Sequence, residues 1–166
     1  MNNRILLIVL LGMGAAYFST HRQSKPQPLP ETDRLKILAF EKQAECQAHS
    51  PCFDASVDGE MDNNPDNALA HCSAAVEKLS ALRVPQGLPQ DIAGPLEEFR
   101  LGLLSSANSF KNTALSKKGL PSENVSRIST CNTYAVINRV HKRYGLDKMM
   151  KGHYVNCAVL GAMKDI

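Results

Sequence analysis

Residues 96–114, LEEFRLGLLSSANSFKNTA, carry the clearest helical pattern in the chain. Apolar side chains recur in this stretch every three or four positions, which is the spacing of one face of an α-helix. A basic turn and Gly119 follow it, and this ending is typical of a helix C-terminus. We therefore predict a long amphipathic helix that starts at Pro89 or Pro95 and ends before Gly119. Its apolar positions are Leu96, Phe99, Leu103, Ala107, Phe110 and Ala114.

Similar patterns on both sides of this stretch predict further helices. A first helix is expected to end at Ser50-Pro51, a polar loop to follow, and Asn64-Pro65 to cap the second. Gly145 should separate the last two helices, and short connections favour antiparallel neighbours. The sequence thus predicts an all-α domain, an antiparallel bundle of four to five helices. The helices predicted besides the long one are 32–49, 65–83, 122–144 and 148–164.

The N-terminal segment has the layout of an export signal or a membrane anchor. Arg4 provides a basic start, and residues 5–18 then run without a charge. As a helix this run rises about 21 Å, which suits a signal better than a span of the roughly 30 Å hydrocarbon core. No small-x-small cleavage pattern closes it, so residues 1–20 are interpreted as either a cleaved signal or an uncleaved anchor. A proline-rich linker, 21–30, and a single helical domain, 31–166, are expected to follow.

The charge distribution argues against nucleic-acid binding. The formal net charge is +3, from 19 Lys and Arg against 16 Asp and Glu. Three of the 19 (Arg4, Arg22 and Lys25) precede residue 31, while all the acids lie from Glu31 onward, so the domain carries 16 of each and is neutral. There is no Trp, and aromatic residues make up 5% of the chain, which leaves few rings for base stacking. The positive charge therefore belongs to the N-terminal segment.

Five cysteines in an exported chain are expected to form disulfides. Cys131 and Cys157 lie at similar distances on either side of Gly145, so they should face each other in a helical hairpin. A second bridge is predicted as Cys46–Cys72 or Cys52–Cys72, across the 51–64 loop. One cysteine is then left over.

A metal site in the same region is the alternative to these disulfides. Soft or borderline ligands for Zn²⁺ or Cu⁺ gather at the two ends of the predicted loop, but oxidation outside the cytoplasm competes for the thiols. No cofactor is therefore expected, with a Zn, Cu or Ca site as the alternative. The candidate ligands are Cys46, His49, Cys52 and His71.

The acidic part of the same loop resembles the first nine positions of an EF-hand calcium loop. Oxygen ligands fall at positions 1, 3, 5 and 9, and Gly59 falls at position 6. The resemblance fails at position 12, where a bidentate Glu is required and Pro65 stands. A Ca²⁺ site here would be weak, and a solvated turn is the alternative. The candidate ligands are Asp54, Ser56, Asp58 and Asp62.

A basic stretch from 139 to 151 opposes the acidic 54–66 loop. It could contact a protein partner or lipid headgroups, or it could be an ordinary polar helix end whose charges suit the helix dipole. The candidate contact residues are Arg139, Lys142, Arg143 and Lys148.

No catalytic residues are predicted. His71, His141 and His153 are isolated along the sequence, and the chain has no nucleophile elbow, His-Glu-x-x-His motif or phosphate-binding loop. We therefore expect an envelope protein that binds another protein, as an inhibitor, an immunity-type factor or an assembly accessory. It would be periplasmic, or anchored in the inner membrane through residues 5–18 and facing the periplasm, with secretion possible. A metal-binding envelope module using the 46–72 region is the alternative.

Overall fold

The computed structural model describes residues 28–123 and 130–163. This part of the chain is mostly helical. The predicted signal or anchor, 1–20, lies outside it, as does most of the 21–30 linker. The first helix begins at Glu31, directly after Pro30.

The first helical stretch runs much further than the sequence predicts. Helix α1 spans Glu31–Glu41, an eight-residue π-helix spans Lys42–His49, and helix α2 spans Ser50–Val57. The first helix was expected to end at Ser50-Pro51, and this is wrong, because α2 continues directly from the π-helix. The polar loop expected over residues 51–64 is also wrong, because α2 and the short helix α3, Glu60–Asn63, occupy most of it. The helix can include Pro51 because this residue lies in the first turn of α2, where the lack of a backbone N–H on proline costs little.

The next two helices agree with the prediction. Helix α4 spans Pro65–Ala81, and the side chain of its N-cap Asn64 accepts a hydrogen bond from the Asn67 N–H at 3.2 Å. Helix α5 spans Gln90–Lys117 and passes through Pro95 without a break. It stops before Gly119, whose φ of 68° is the left-handed conformation expected after a helix end.

The C-terminal part departs from the prediction. Helix α6 spans Thr130–Tyr144. The predicted start of this helix at Ser122 is wrong, because residues 122–123 are not helical, and residues 124–129 lie outside the described part of the chain. The predicted helix 148–164 is wrong. In its place are a 3₁₀ turn, Asp147–Met149, a two-stranded antiparallel hairpin of β1, Met150–Lys151, and β2, Tyr154–Val155, and a short helix α7, Cys157–Ala162.

A two-residue turn explains that departure. The hairpin loop begins with Gly152 at φ 66°, as tight hairpin turns require. Asn156 then starts α7 anew, since its side chain accepts a hydrogen bond from the Val159 N–H at 3.3 Å. The chain therefore folds back between α6 and α7 and does not continue as one helix.

The core lies between α4, α5, α6 and the first helical stretch. Fully buried aliphatic and aromatic side chains from each element form one cluster. Helices α5 and α6 approach closely at Gly102, where an added Cβ would lie 2.2 Å from Thr133 Oγ1. Gly102 is thus required by packing. The largest buried side chains include Ile37, Leu79, Ile92, Leu96, Phe99, Leu103, Ile137 and Leu160.

Two disulfides brace this arrangement. Cys52 bonds to Cys72, which joins α2 to α4, and Cys46 bonds to Cys157, which joins the π-helix to α7. The predicted Cys131–Cys157 bridge is therefore wrong, and of the two pairings predicted for Cys72 the structure has the one with Cys52. The prediction assumed that one straight helix carries Cys157, whereas the hairpin turns the chain and brings Cys157 next to Cys46 of the π-helix. The side chain of Cys131 lies outside the described part.

The disulfides indicate an oxidising environment outside the cytoplasm. Within the described ranges, no helix is both long and apolar enough to cross a membrane.

Candidate functional site

The predicted soft-metal site is not formed. Cys46 and Cys52 are consumed by different disulfides, so neither sulfur is available as a thiolate. His49 is buried in the π-helix, whereas His71 is exposed on α4. In the part of the chain that the structure describes, no group of three or more His, Cys, Asp or Glu side chains is placed to hold a metal ion.

The calcium-loop interpretation is also wrong for its first positions. Asp54 and Ser56 lie in helix α2, and the Ser56 hydroxyl donates to the Phe53 carbonyl at 2.7 Å. Asp58 is the first residue after α2, and Asp62 lies in α3 and pairs with Lys117. A Ca²⁺ loop needs its oxygens to converge from an extended turn, and a helix directs them apart.

A row of buried polar side chains lies where none was expected. Glu41, Glu45 and His49 are spaced by four along the end of α1 and the π-helix, and all are at least nine-tenths buried. Buried carboxylates and imidazoles are rare unless they are partnered, because burial penalises the charged form. An extended π-helix is also rare and often marks a functional position. This row is the first candidate site.

Glu41 is paired with His141 of α6. Glu41 Oε1 lies 2.7 Å from His141 Nε2, and both side chains are fully inaccessible to solvent. The other ring nitrogen, Nδ1, lies 2.8 Å from the Leu146 carbonyl oxygen. Burial acts to lower the pKa of His141, but the hydrogen bond and charge of Glu41 outweigh it, so this pKa lies above its ordinary value.

Glu45 is bonded to Tyr134, which also lies on α6. The Tyr134 hydroxyl donates to Glu45 Oε1 at 2.7 Å. Burial, followed by the charge of Glu45, raises the pKa of Tyr134 far above its ordinary value, so the phenol keeps its proton. The Tyr134 ring packs edge-on against Phe99 on one side and the half-exposed Tyr154 on the other. The hairpin therefore covers the Glu45–Tyr134 bond.

His49 completes the row with looser contacts. Its Nε2 lies 3.2 Å from Ser106 Oγ of α5, and its Nδ1 lies 3.5 Å from Glu45 Oε2 without forming a hydrogen bond. The order Ser106, His49, Glu45 resembles the serine–histidine–carboxylate relay of hydrolases. Here, however, Ser106 is 4% exposed and lies inside helix α5, so its hydroxyl does not face a substrate cleft.

The basic residues form a second candidate site, at the surface. We define the basic surface as Arg139, Lys142, Lys148 and Lys151, all of which are exposed. Among the described residues, none of these four forms an ion pair. Arg143 differs from its predicted companions, because its Nη2 lies 3.2 Å from Asp91 Oδ2 and its guanidinium lies over the Tyr144 ring.

The acidic region is compensated within the fold. Asp62 pairs with Lys117 and Asp66 pairs with Lys118, both at the end of α5. The basic end of α5 is thereby paired with acidic residues of α3 and of the first turn of α4. Both predicted charged stretches are therefore partly neutralised: two acidic residues, Asp62 and Asp66, and one basic residue, Arg143, form ion pairs inside the fold.

Sequence reasoning missed the buried row. His141 is isolated along the chain, yet in the fold it meets a carboxylate 100 residues away. One signal was available: Glu41, Glu45 and His49 recur at helical spacing beside the buried positions Ala44 and Ala48. Polar groups in that position lie on the edge of the buried face. Their partners Ser106, Tyr134 and His141 have no comparable pattern.

Comparison with protein-family models, curated proteins and solved structures found no match to this chain.

Proposed function

We propose that the chain is an envelope protein whose disulfide-braced antiparallel helical bundle binds an acidic surface of another protein. It would be exported to the periplasm or held at the inner membrane through residues 5–18. The uncharged N-terminal run and the two disulfides support this location. An inhibitor, an immunity-type factor or an assembly accessory would each act in this way.

The unpaired charge of the basic surface carries this proposal. Two other cationic residues pair inside the fold, Lys117 with Asp62 and Arg143 with Asp91. The four side chains of the basic surface have no such partner among the described residues. Arg139 and Lys142 are three residues apart on α6, so they project from one helical face. Such a face attracts an acidic partner and speeds the encounter.

Rigid support under the basic surface favours protein recognition. Lys148 and Lys151 lie in the 3₁₀ turn and hairpin, which the Cys46–Cys157 bridge and the Tyr134–Tyr154 contact hold against the core. Tyr154 adds a half-exposed ring beside Lys151, its partner across the hairpin. Tyrosine and arginine are enriched in protein interfaces, and this surface offers Tyr154 and Arg139.

A charge-reversal experiment tests the proposal. The full chain is used as bait in envelope extract, and the captured proteins are compared with those taken by an Arg139→Glu/Lys142→Glu variant. We expect capture of a discrete acidic partner that weakens with added salt and is lost in the variant, because exposed charges are screened over a Debye length of about 8–10 Å.

An Arg83→Glu/Lys111→Glu variant is the matched control. It reverses two charges on α5 and the preceding connector, neither of which belongs to the basic surface. Retained binding in this control and lost binding in the first variant would assign the partner to the basic surface. Equal capture by all three proteins would refute that assignment.

A further inference from the structure

We infer that Glu41 and His141 form a proton-dependent latch that holds the segment of residues 146–156, which ends at the Cys46–Cys157 bridge, against the helical core and lets this segment open as the pH rises. The latch joins three elements: α1 supplies Glu41, α6 supplies His141, and the segment supplies the Leu146 carbonyl. This inference concerns the fold and does not depend on the proposed partner.

The hydrogen-bond geometry fixes where the protons lie. A carbonyl oxygen only accepts, so the 2.8 Å contact with Leu146 requires a proton on His141 Nδ1. The 2.7 Å contact with Glu41 then needs one further proton between Nε2 and Oε1. The pair holds that proton either as imidazolium and carboxylate or as imidazole and carboxylic acid, and in both cases it is neutral overall.

Loss of the shared proton breaks the arrangement. It leaves an ionised carboxylate facing the lone pair of Nε2 in a place that solvent does not reach. A buried charge without a partner is strongly destabilising. To re-form a hydrogen bond with Glu41, the ring must move its remaining proton to Nε2, and it then gives up Leu146. Either outcome detaches a contact that holds the segment.

The charges around His141 act in the same direction. Glu41 faces the ring from α1, and Asp147 acts on it from the 3₁₀ turn, and both favour the protonated ring. Because the pKa of His141 is raised in the folded state, its stabilising contribution is full below the ordinary value of about 6.5 and is lost as the pH rises through the folded value. The opening of the segment should therefore increase with pH over that interval.

Hydrogen exchange of named amides measures the opening. Met149 N–H bonds to the Leu146 carbonyl, and Asn156 N–H bonds to the Met149 carbonyl, so both report on the segment. After correction for intrinsic exchange, we expect their opening constant to rise about tenfold per pH unit above pH 6.5, the value for one proton released, and to level off above the folded pKa of His141. Amides of α4 should show no such rise.

Two matched variants separate the latch from general instability. Glu41→Gln keeps a hydrogen bond to a neutral ring and should abolish the pH dependence. Glu45→Gln changes the neighbouring buried carboxylate, which is bonded to Tyr134, and should keep it. Equal pH dependence in the two variants would overturn the inference.

A measurement on the unchanged protein serves if Glu41→Gln does not fold. The ¹⁵N shifts of the His141 ring report its protonation directly. A ring that keeps protons on both nitrogens above pH 6.5, and loses one as the amides open, supports the latch. A ring that is already neutral below pH 6 and stays hydrogen-bonded to Leu146 without change up to pH 9 would refute it.

Discussion

Residues 50–117 and residues 130–163 are held in the fold by different forces. The first, which we call the central region, contains α2 to α5 and packs mainly through aliphatic side chains such as Leu79, Leu96 and Leu103. Its own bridge, Cys52–Cys72, lies wholly within it. The second, the C-terminal region, adds to its apolar packing several specific bonds to residues outside it. It therefore depends on chemistry that pH, oxidation or a single substitution can change.

The specific bonds of the C-terminal region converge on the first helical stretch. His141 is bonded to Glu41, Tyr134 to Glu45, and Cys157 to Cys46, so three consecutive contacts come from residues 41–46. Tyr144 adds a 2.7 Å hydrogen bond to Asp91 at the start of α5. Hydrophobic burial is spread over many contacts, whereas these bonds are few and directional. Each one can therefore be tested separately.

The largest effect is expected from the two disulfides. Chain-entropy arguments give about 4.7 kcal/mol for a bridge closing about 100 residues and about 3 kcal/mol for one closing about 15. Cys46–Cys157 spans 111 residues and Cys52–Cys72 spans 20, so the Cys46→Ser/Cys157→Ser variant should lose more stability than Cys52→Ser/Cys72→Ser. Urea unfolding followed by circular dichroism measures both. A larger loss from Cys52→Ser/Cys72→Ser would reverse the contrast between the regions.

The Tyr134–Glu45 bond comes next. Tyr134→Phe leaves the buried Glu45 carboxylate without its donor and should cost about 2–3 kcal/mol. Adding Glu45→Gln should recover part of this loss, because an amide is less costly to bury than a charge. Thermal unfolding of the single and double variants forms the test. Strictly additive losses would show that the bond contributes little.

The close approach of α5 and α6 should be less sensitive. Gly102→Ala forces Thr133 to move, which costs about 1–3 kcal/mol by overpacking, and the alanine returns up to about 1 kcal/mol of helix propensity. We expect a net loss of about 1–2 kcal/mol in urea unfolding. Gly94→Ala is the control, because the nearest atom to its added Cβ is 3.9 Å away. Equal stability of the two variants would contradict the packing argument.

The smallest effect belongs to the continuous first stretch. Pro51 has no N–H to offer the preceding turn, and Lys78 Nζ donates to the Gln47 carbonyl at 3.1 Å. Lys78→Met keeps the aliphatic stem and should cost less than about 1 kcal/mol, since the contact is exposed. Exchange at α2 amides should rise slightly while α5 amides stay unchanged. A global loss of stability would instead mean that Lys78 supports the core.

Local signals in the sequence predicted the central region well. Asn64 caps α4, Gly119 follows α5, and the apolar positions of the long helix are buried as their spacing predicts, apart from the half-buried Phe110. Such signals act within a few residues, so they can be recognised without knowing the fold. The helical class of the domain followed from them.

The C-terminal region could not be predicted in this way. Residues 154–163 are apolar nearly throughout, and an apolar run of that length suits a buried helix or a strand equally. In the fold, the tight turn at Gly152 makes the start of this run a hairpin strand, and the disulfide to Cys46 fixes its second half as a separate short helix. Cys46 is 111 residues away in sequence from its partner, so no local pattern points to it. The buried row was missed for the same reason, because each polar group finds its partner on another element.

The Cys46–Cys157 bridge also determines how the molecule would carry a mechanical load. A pulling force applied between an N-terminal attachment and the C-terminus would run along α1 and the π-helix to Cys46 and leave through Cys157. Residues 47–156 would bear none of it while the bridge is oxidised. If residues 5–18 anchor the chain in a membrane, tension on its far end would load residues 19–46 and the residues after Cys157, and it would spare the part of the domain between the two cysteines.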